Sequence, residues 1–226
     1  MIALVTGASE GIGRATALSL AARGVDIALV ARTESTLDTV RAEVEKAGVR
    51  AIAVSADVGV SKDVLAMHAR VKRELGVPDV IVHAAGIVRR LRIEDMTDAD
   101  WDDVVAVNMR ALFLVTRAFM TEMKAQKRGR IVVVGSISST LGTATLTSYC
   151  ASKWGAVGFT KALAEELRGT GLSTLCLLPG SVDTKMLKGS GFSPRMSPEE
   201  VGTALTYACL DAPPSMNGAS IEMFGP

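Results

Sequence analysis

Histidine occurs twice in this chain and cysteine three times, and neither residue is spaced to hold a metal. Cys150, Cys176 and Cys209 are odd in number and far apart, His68 and His83 stand alone, and there is no CxxC or Cys/His cluster. A disulfide framework and a zinc site are thereby excluded. A charge excess is also missing: 25 basic and 24 acidic side chains leave a formal net charge of +1. Composition therefore carries no electrostatic footprint for nucleic acid or for an anionic membrane. Apolar runs such as Ile131 to Val134 fall far short of the roughly 18 residues of a membrane span. The first residues, Met1-Ile2-Ala3-Leu4-Val5, read as a strand and not as a charged leader. These absences predict a cytoplasmic protein with neither a membrane nor a nucleic-acid partner.

What is present is a regular march of apolar runs. They fall near 2–6, 26–31, 50–55, 79–84, 130–135, 172–178 and 219–224, and most are apolar throughout. Parallel strands buried on both faces have that character. Amphipathic stretches lie between them, near 12–23, 34–47, 61–75, 98–125, 149–168 and 198–210. Leu37, Val40, Arg41, Val44 and Ala47 show the three-and-four spacing of a helix. Alternating strands and helices predict an α/β chain with a doubly wound, Rossmann-like parallel sheet. With 48% hydrophobic residues over 226 positions and no linker or repeat, residues 1–226 read as one domain. Ligands are expected beyond the carboxyl ends of its strands.

The first run ends in Thr6-Gly7-Ala8-Ser9-Glu10-Gly11-Ile12-Gly13, and a helix follows at once. Glycines there allow a tight turn and let backbone amides approach a pyrophosphate at the helix N-terminus. An ordinary glycine turn is the plainer reading, and the position between first strand and first helix argues against it. Further on, Tyr149 and Lys153 stand four apart in "SYCASK", which makes them neighbours on one helix face.

The G-x-x-x-G-x-G spacing together with Tyr149-x-x-x-Lys153 resembles the short-chain dehydrogenase/reductase family, over essentially the whole chain. The pattern is closest to 3-oxoacyl-acyl-carrier-protein reductases and related NADPH-dependent carbonyl reductases. The resemblance implies a seven-stranded parallel sheet flanked by helices. It also implies cofactor contacts from Thr6, Gly7, Ser9, Glu10, Gly11, Ile12 and Gly13, and from Asp57-Val58 at the adenine. Ala84-Ala85-Gly86 resembles the wall of the cofactor cleft. Pro179-Gly180-Ser181-Val182-Asp183-Thr184 resembles the segment that grips the nicotinamide, so Pro179, Gly180, Val182 and Thr184 join the contacts. Asn108 in "VNMRALF" looks like the family's helix asparagine, assigned to a water chain that refills the proton. The family serine lies 13 residues before the tyrosine, which is Ser136, with Ser138 as runner-up. The family's usual asparagine before the Ala-Ala-Gly wall is replaced by His83, which is read as a structural residue.

The chemistry behind this set is carbonyl reduction. Hydride delivery to a ketone makes an alkoxide that needs a proton, and Tyr149 is the expected donor. Its unperturbed pKa is about 10, so Lys153 is expected to lower it, and by resemblance also to hold the nicotinamide ribose. Ser136 is expected to polarise the carbonyl oxygen. The substrate expected is a small-molecule carbonyl or alcohol, such as a 3-oxoacyl thioester or a small ketone. Ala31 stands where NAD-dependent relatives carry aspartate, and Arg32 and Thr33 follow, so the expected cofactor is NADP(H). Glu10 opposes that preference if it turns toward the 2′-phosphate.

Cys150 reads as a small buried cysteine and not a nucleophile, the run Arg89-Arg90-Leu91-Arg92 as a solvated loop in preference to a contact for an anionic substrate, and about 185–197 as a substrate lid. By resemblance the chain forms a homo-oligomer, a tetramer or a dimer, through helices near 98–125 and 149–168, with Leu112, Phe113 and Val115 on the first and Gly155, Ala156 and Gly158 on the second. A catalytically idle dinucleotide-binding sensor or scaffold is the alternative, opposed by the intact Ser136, Tyr149, Lys153 and Asn108. A nucleotide-sugar epimerase would need more chain after Pro179-Gly180 for a substrate domain.

Overall fold

The apolar runs become strands because Val, Ile and Leu on both faces can be buried only between two helical layers. In a computed structural model describing Met1 to Pro226, seven strands do so. They are β1 (Ile2–Thr6), β2 (Asp26–Ala31), β3 (Ala51–Ser55), β4 (Val80–His83), β5 (Gly129–Val134), β6 (Leu172–Pro179) and β7 (Ser220–Met223). The sheet runs in the order β3-β2-β1-β4-β5-β6-β7, with every pair parallel. Sequence order reverses between β1 and β4, which opens a crevice at their carboxyl ends.

The helices are α1 (Gly11–Ala21), α2 (Glu34–Glu45), α3 (Ser61–Glu74), α4 (Asp98–Val105), α5 (Ala111–Gln126), α6 (Thr147–Glu166) and α7 (Pro198–Leu210). One core joins the sheet to α1, α2 and α7 through residues such as Leu20, Leu37 and Leu205. The other joins it to α3, α5 and α6 through Met67, Phe119, Met123 and Leu163. Helix α7 begins on a capping box, Ser197 with Glu200, and has Pro198 at its first turn. It packs so closely on α1 that a β-carbon at Gly202 would stand 2.9 Å from the Ala15 backbone. At its other end Arg130 donates to the Ala208 and Ala212 carbonyls, at 2.8 and 2.7 Å, which satisfies main-chain acceptors a helix end leaves open.

The helix predicted over 98–125 is not one α-helix. A π-helical turn, Ala106–Arg110, separates α4 from α5. Taken together, Asp98–Gln126 is long and apolar enough to span a membrane by composition alone. Val115, Phe119 and Met123 are nevertheless fully enclosed in the core, so its apolar face is used inside the fold. Leu112 and Val115, expected at a subunit contact, are buried within the chain, and of that trio only Phe113 is exposed. Their place on the inward face of α5 explains the correction.

Candidate active site

Thr6, the last residue of β1, builds the back of the crevice. Its hydroxyl accepts from the Ala84 and Ala85 amides, both at 3.2 Å, which fastens the end of β4 to β1. The glycine loop then leaves β1 against that wall. A β-carbon at Gly7 would lie 2.7 Å from the Ala85 backbone, and one at Gly13 only 2.2 Å from the Gly7 carbonyl. Helix α1 opens with no side-chain cap from Glu10 and no acid in its first turn. Its free amides and dipole suit an anion, so the loop fits the pyrophosphate of a dinucleotide. Glu10 itself pairs with Lys185 at 2.5 Å, at the start of the lid segment. Its carboxylate is therefore engaged there.

At the end of β2, Ala31 leaves the position free of a carboxylate. Arg32 has no acidic partner, unlike Arg14, which binds Glu43 at 2.7 Å. Thr33 precedes α2 without capping it. The Asp57 carboxylate accepts from the Gly59 amide at 2.9 Å and shapes the turn after β3, while Val58 is buried beside it.

Beyond the carboxyl ends of β4, β5 and β6 lies a cleft of about 390 Å³. Ile12, Ala84, Gly86, Ser136, Tyr149, Lys153, Pro179, Gly180, Val182 and Thr184 all line it. The structure thus gathers one wall from each of five separated segments. A larger concavity, about 730 Å³, opens at the opposite ends of the strands. There Arg128 is tied to Asp79 at 2.9 Å, and no buried acid–base pair faces it. The smaller cleft holds Tyr149 and Lys153, an acid and a base both shifted by burial, and sits at the topological switch, which makes it the candidate site.

Tyr149 and Lys153 share a face of α6 as their spacing predicts. The Lys153 ammonium lies 5.7 Å from the Tyr149 ring centroid and donates to the Val134 carbonyl at 2.8 Å. Burial lowers the Lys153 pKa to about 8, because a desolvated ammonium is disfavoured. For the same reason burial holds the Tyr149 phenol above its ordinary value, with the Ser136 hydroxyl and the Arg90 charge pulling the other way. Burial outweighs both of these, and Lys153 is not among the groups that set the shift. Ser136 sits at the end of β5 and caps a short turn by accepting from the Ser138 amide at 3.1 Å. Ser139 is turned inward, its hydroxyl accepting from the Ser136 amide at 3.3 Å. Ser138 also lines the cleft.

Asn108 lies in the π-helical turn, a local form common at functional sites. Its amide accepts from the Ile87 N–H at 2.9 Å and donates to the Ile87 carbonyl and to Ser152 Oγ, each at 3.0 Å. Ser152 in turn donates to the Tyr149 carbonyl at 2.7 Å. The Asn108 side chain thus positions the wall and the tyrosine helix. Ser152 was invisible as a functional residue, since a serine in a helix has no distinguishing pattern. His83 is fully buried, bonded to Thr116 Oγ1 at 3.0 Å, and burial lowers its pKa to about 4. It is a neutral structural residue, as the sequence suggested. Arg90, read as part of a solvated loop, instead lines the cleft and donates to the Met186 carbonyl at 2.7 Å.

The family model for short chain dehydrogenases matches residues 1–192. The chain belongs to the short-chain dehydrogenase family. A 3-oxoacyl-[acyl-carrier-protein] reductase of Synechocystis sp. is 35% identical over 93% of this chain and 89% of its own. The protein of the same name from Escherichia coli is 29% identical over 99% of this chain and 96% of its own. Among solved structures, a 3-ketoacyl-ACP reductase from Sinorhizobium meliloti superposes with a TM-score of 0.93 at 29% identity, covering 100% of this chain and 98% of that one. This short-chain dehydrogenase is accordingly an oxidoreductase with the seven-stranded Rossmann-like sheet of its relatives.

Proposed function

We propose that the protein is an NADP(H)-dependent reductase that converts a carbonyl to a secondary alcohol, with Tyr149 as proton donor. The observation that carries this reading is the meeting of Ser136, Tyr149 and Lys153 in one cleft with the glycine-loop helix and the Pro179–Thr184 segment. When bound, the nicotinamide cofactor supplies the hydride. Its pyrophosphate would rest on the free amides of α1, its adenosine 2′-phosphate beside Arg32 and Thr33, and its nicotinamide along Gly86, Pro179, Gly180, Val182 and Thr184.

The side chains then divide the remaining work. The Ser136 hydroxyl donates to the carbonyl oxygen as negative charge grows there. Tyr149, a phenol that is protonated at neutral pH and that burial shifts further up, gives its proton to that oxygen. The phenolate so formed is buried, and the Lys153 ammonium is the cation on its own helix face that stabilises it. Asn108 and Ser152 hold the wall and the tyrosine helix in register.

The lid and cleft supply Leu141, Leu146, Leu187 and Phe192, an apolar lining that suits an aliphatic chain next to the carbonyl. The curated relatives' names make 3-oxoacyl thioesters the first substrates to try. A panel of 3-oxoacyl thioesters, ketones and aldehydes, scored by loss of NADPH absorbance, tests the reading. Turnover of at least one class is expected. NADPH binding without turnover of any class would favour a sensor or scaffold instead.

A further inference from the structure

We propose that Arg90 is a specificity-determining residue that binds a carboxylate close to the reacting carbonyl, so that the protein takes oxo acids in preference to neutral ketones. The proposal rests on the reductase reading and narrows its substrate class.

Arg90 is held firmly in the cleft. Three residues before it, Ile87 is clamped through both N–H and C=O by Asn108. One residue after it, the Leu91 amide donates to the Thr145 carbonyl at 3.0 Å. From this anchored segment the side chain crosses to the lid, where one nitrogen donates to the Met186 carbonyl at 2.7 Å. A guanidinium has five N–H donors in a rigid fork, so that one bond leaves most of them unused.

Its neighbours in the same run are neutralised. Arg89 pairs with Asp100 and Asp103, at 3.4 and 3.0 Å, and Arg92 with Glu94 at 3.7 Å. Arg90 has no carboxylate partner. The cleft it faces has no aspartate or glutamate in its lining, while Arg195 of the lid segment adds a second guanidinium there. A half-buried cation with spare donors and no counter-ion calls for an anion. Arg90 lines the same cleft as Ser136, Tyr149 and Lys153, and its charge is felt at the Tyr149 phenol, so it stands near the reacting centre. A carboxylate one or two carbons from the carbonyl meets that placement. The phosphate of a carrier-bound pantetheine lies many bonds from the carbonyl and does not.

The test compares substrates that differ only in this charge. kcat/KM is measured with NADPH for 2-oxobutanoate and 3-oxobutanoate, for their methyl esters, and for one 3-oxoacyl chain on coenzyme A and on N-acetylcysteamine. Unmodified protein should prefer the acids over the esters by about tenfold or more, the scale of a charge-assisted bond. Arg90→Met should collapse the acid-to-ester ratio to within about threefold, and Arg90→Lys should keep part of it. Binding gives an independent readout: butanoate should bind the NADP⁺-loaded protein more tightly than butanamide, and Arg90→Met should erase the difference.

Equal use of acids and esters by the unmodified protein would overturn the proposal while leaving the reductase reading intact. So would an equal fall for both in Arg90→Met, which would make Arg90 a lid latch only. A preference for the coenzyme A thioester over its N-acetylcysteamine counterpart, without an acid preference, would assign the cation to a distant phosphate and overturn it too. Failure of all the carbonyls would overturn the reductase reading, and the butanoate titration would still judge Arg90.

Discussion

Tyr149 is governed by its own burial. The phenol is held protonated above its ordinary pKa, so the donor form that reduction needs is fully populated at neutral pH and the phenolate that alcohol oxidation needs is scarce. The two directions should therefore respond oppositely to alkali. Oxidation should speed up as pH rises from 7 to 10. Reduction should decline above about 8, where Lys153 loses the proton that keeps it an ammonium. Parallel profiles for kcat in the two directions would contradict this assignment. His83 offers a test on stability instead. Its pKa of about 4 in the fold, against an ordinary 6.5, means that between those values the unfolded chain binds a proton the folded chain refuses. Stability contributed by the neutral ring is thus complete above 6.5 and lost as pH falls toward 4, by up to about 3 kcal/mol. Urea midpoints at pH 7 and 4.5 should converge more for His83→Asn than for the unmodified protein; identical acid sensitivity would show that the ring is not the titrating group. The residue types of this site were legible in sequence, but the direction of the Tyr149 shift was not. Spacing places Lys153 beside Tyr149, whereas burial comes from chain segments that spacing does not see.

At the scale of elements, the strands and helices follow the hydrophobic periods closely, because a strand buried on both faces leaves an unbroken apolar run. The π-helical turn at Ala106–Arg110 was hidden: a single extra residue in a helix leaves the amphipathic pattern almost intact. Likewise Arg90 was hidden by its charged neighbours, since only the fold pairs Arg89 and Arg92 with carboxylates and leaves Arg90 without one. The end of β2 carries the cofactor prediction. Ala31 removes the carboxylate that would repel a 2′-phosphate, Arg32 is unpaired, and Glu10 is engaged with Lys185. NADPH should be preferred over NADH by about 30-fold, or about 2 kcal/mol. The double change Ala31→Asp/Arg32→Leu should shift kcat/KM toward NADH. An unmodified protein that uses both cofactors equally, or a variant that does not move, would remove Arg32 from that role.

At the scale of the whole molecule, both helices expected at a subunit contact leave aromatic side chains outside the core. Phe113 on α5 and Trp154 on α6 are exposed by 47% and 55%, and Gly158 on α6 has nothing within 4 Å of a built β-carbon. Exposed aromatic rings on these helices, and open space at Gly158, suit a second copy of the chain. Light scattering should give a dimer or tetramer, and Gly158→Glu should shift it to monomer while leaving the thermal midpoint of the subunit nearly unchanged. A stable monomer at micromolar concentration in the unmodified protein would contradict the assembly. The doubly wound sheet was legible at this scale; which apolar residues of α5 turn inward was not, because Leu112, Phe113, Leu114 and Val115 are consecutive and go all the way round one turn.

The central claim is that one buried phenol supplies the proton for carbonyl reduction, and Tyr149→Phe tests it most directly. The variant keeps the ring and removes only the hydroxyl. On the best carbonyl substrate, with NADPH binding followed by fluorescence, the account predicts unimpaired cofactor binding and loss of nearly all turnover. Turnover by Tyr149→Phe within about tenfold of the unmodified protein, less than removal of a positioned general acid costs, would contradict it.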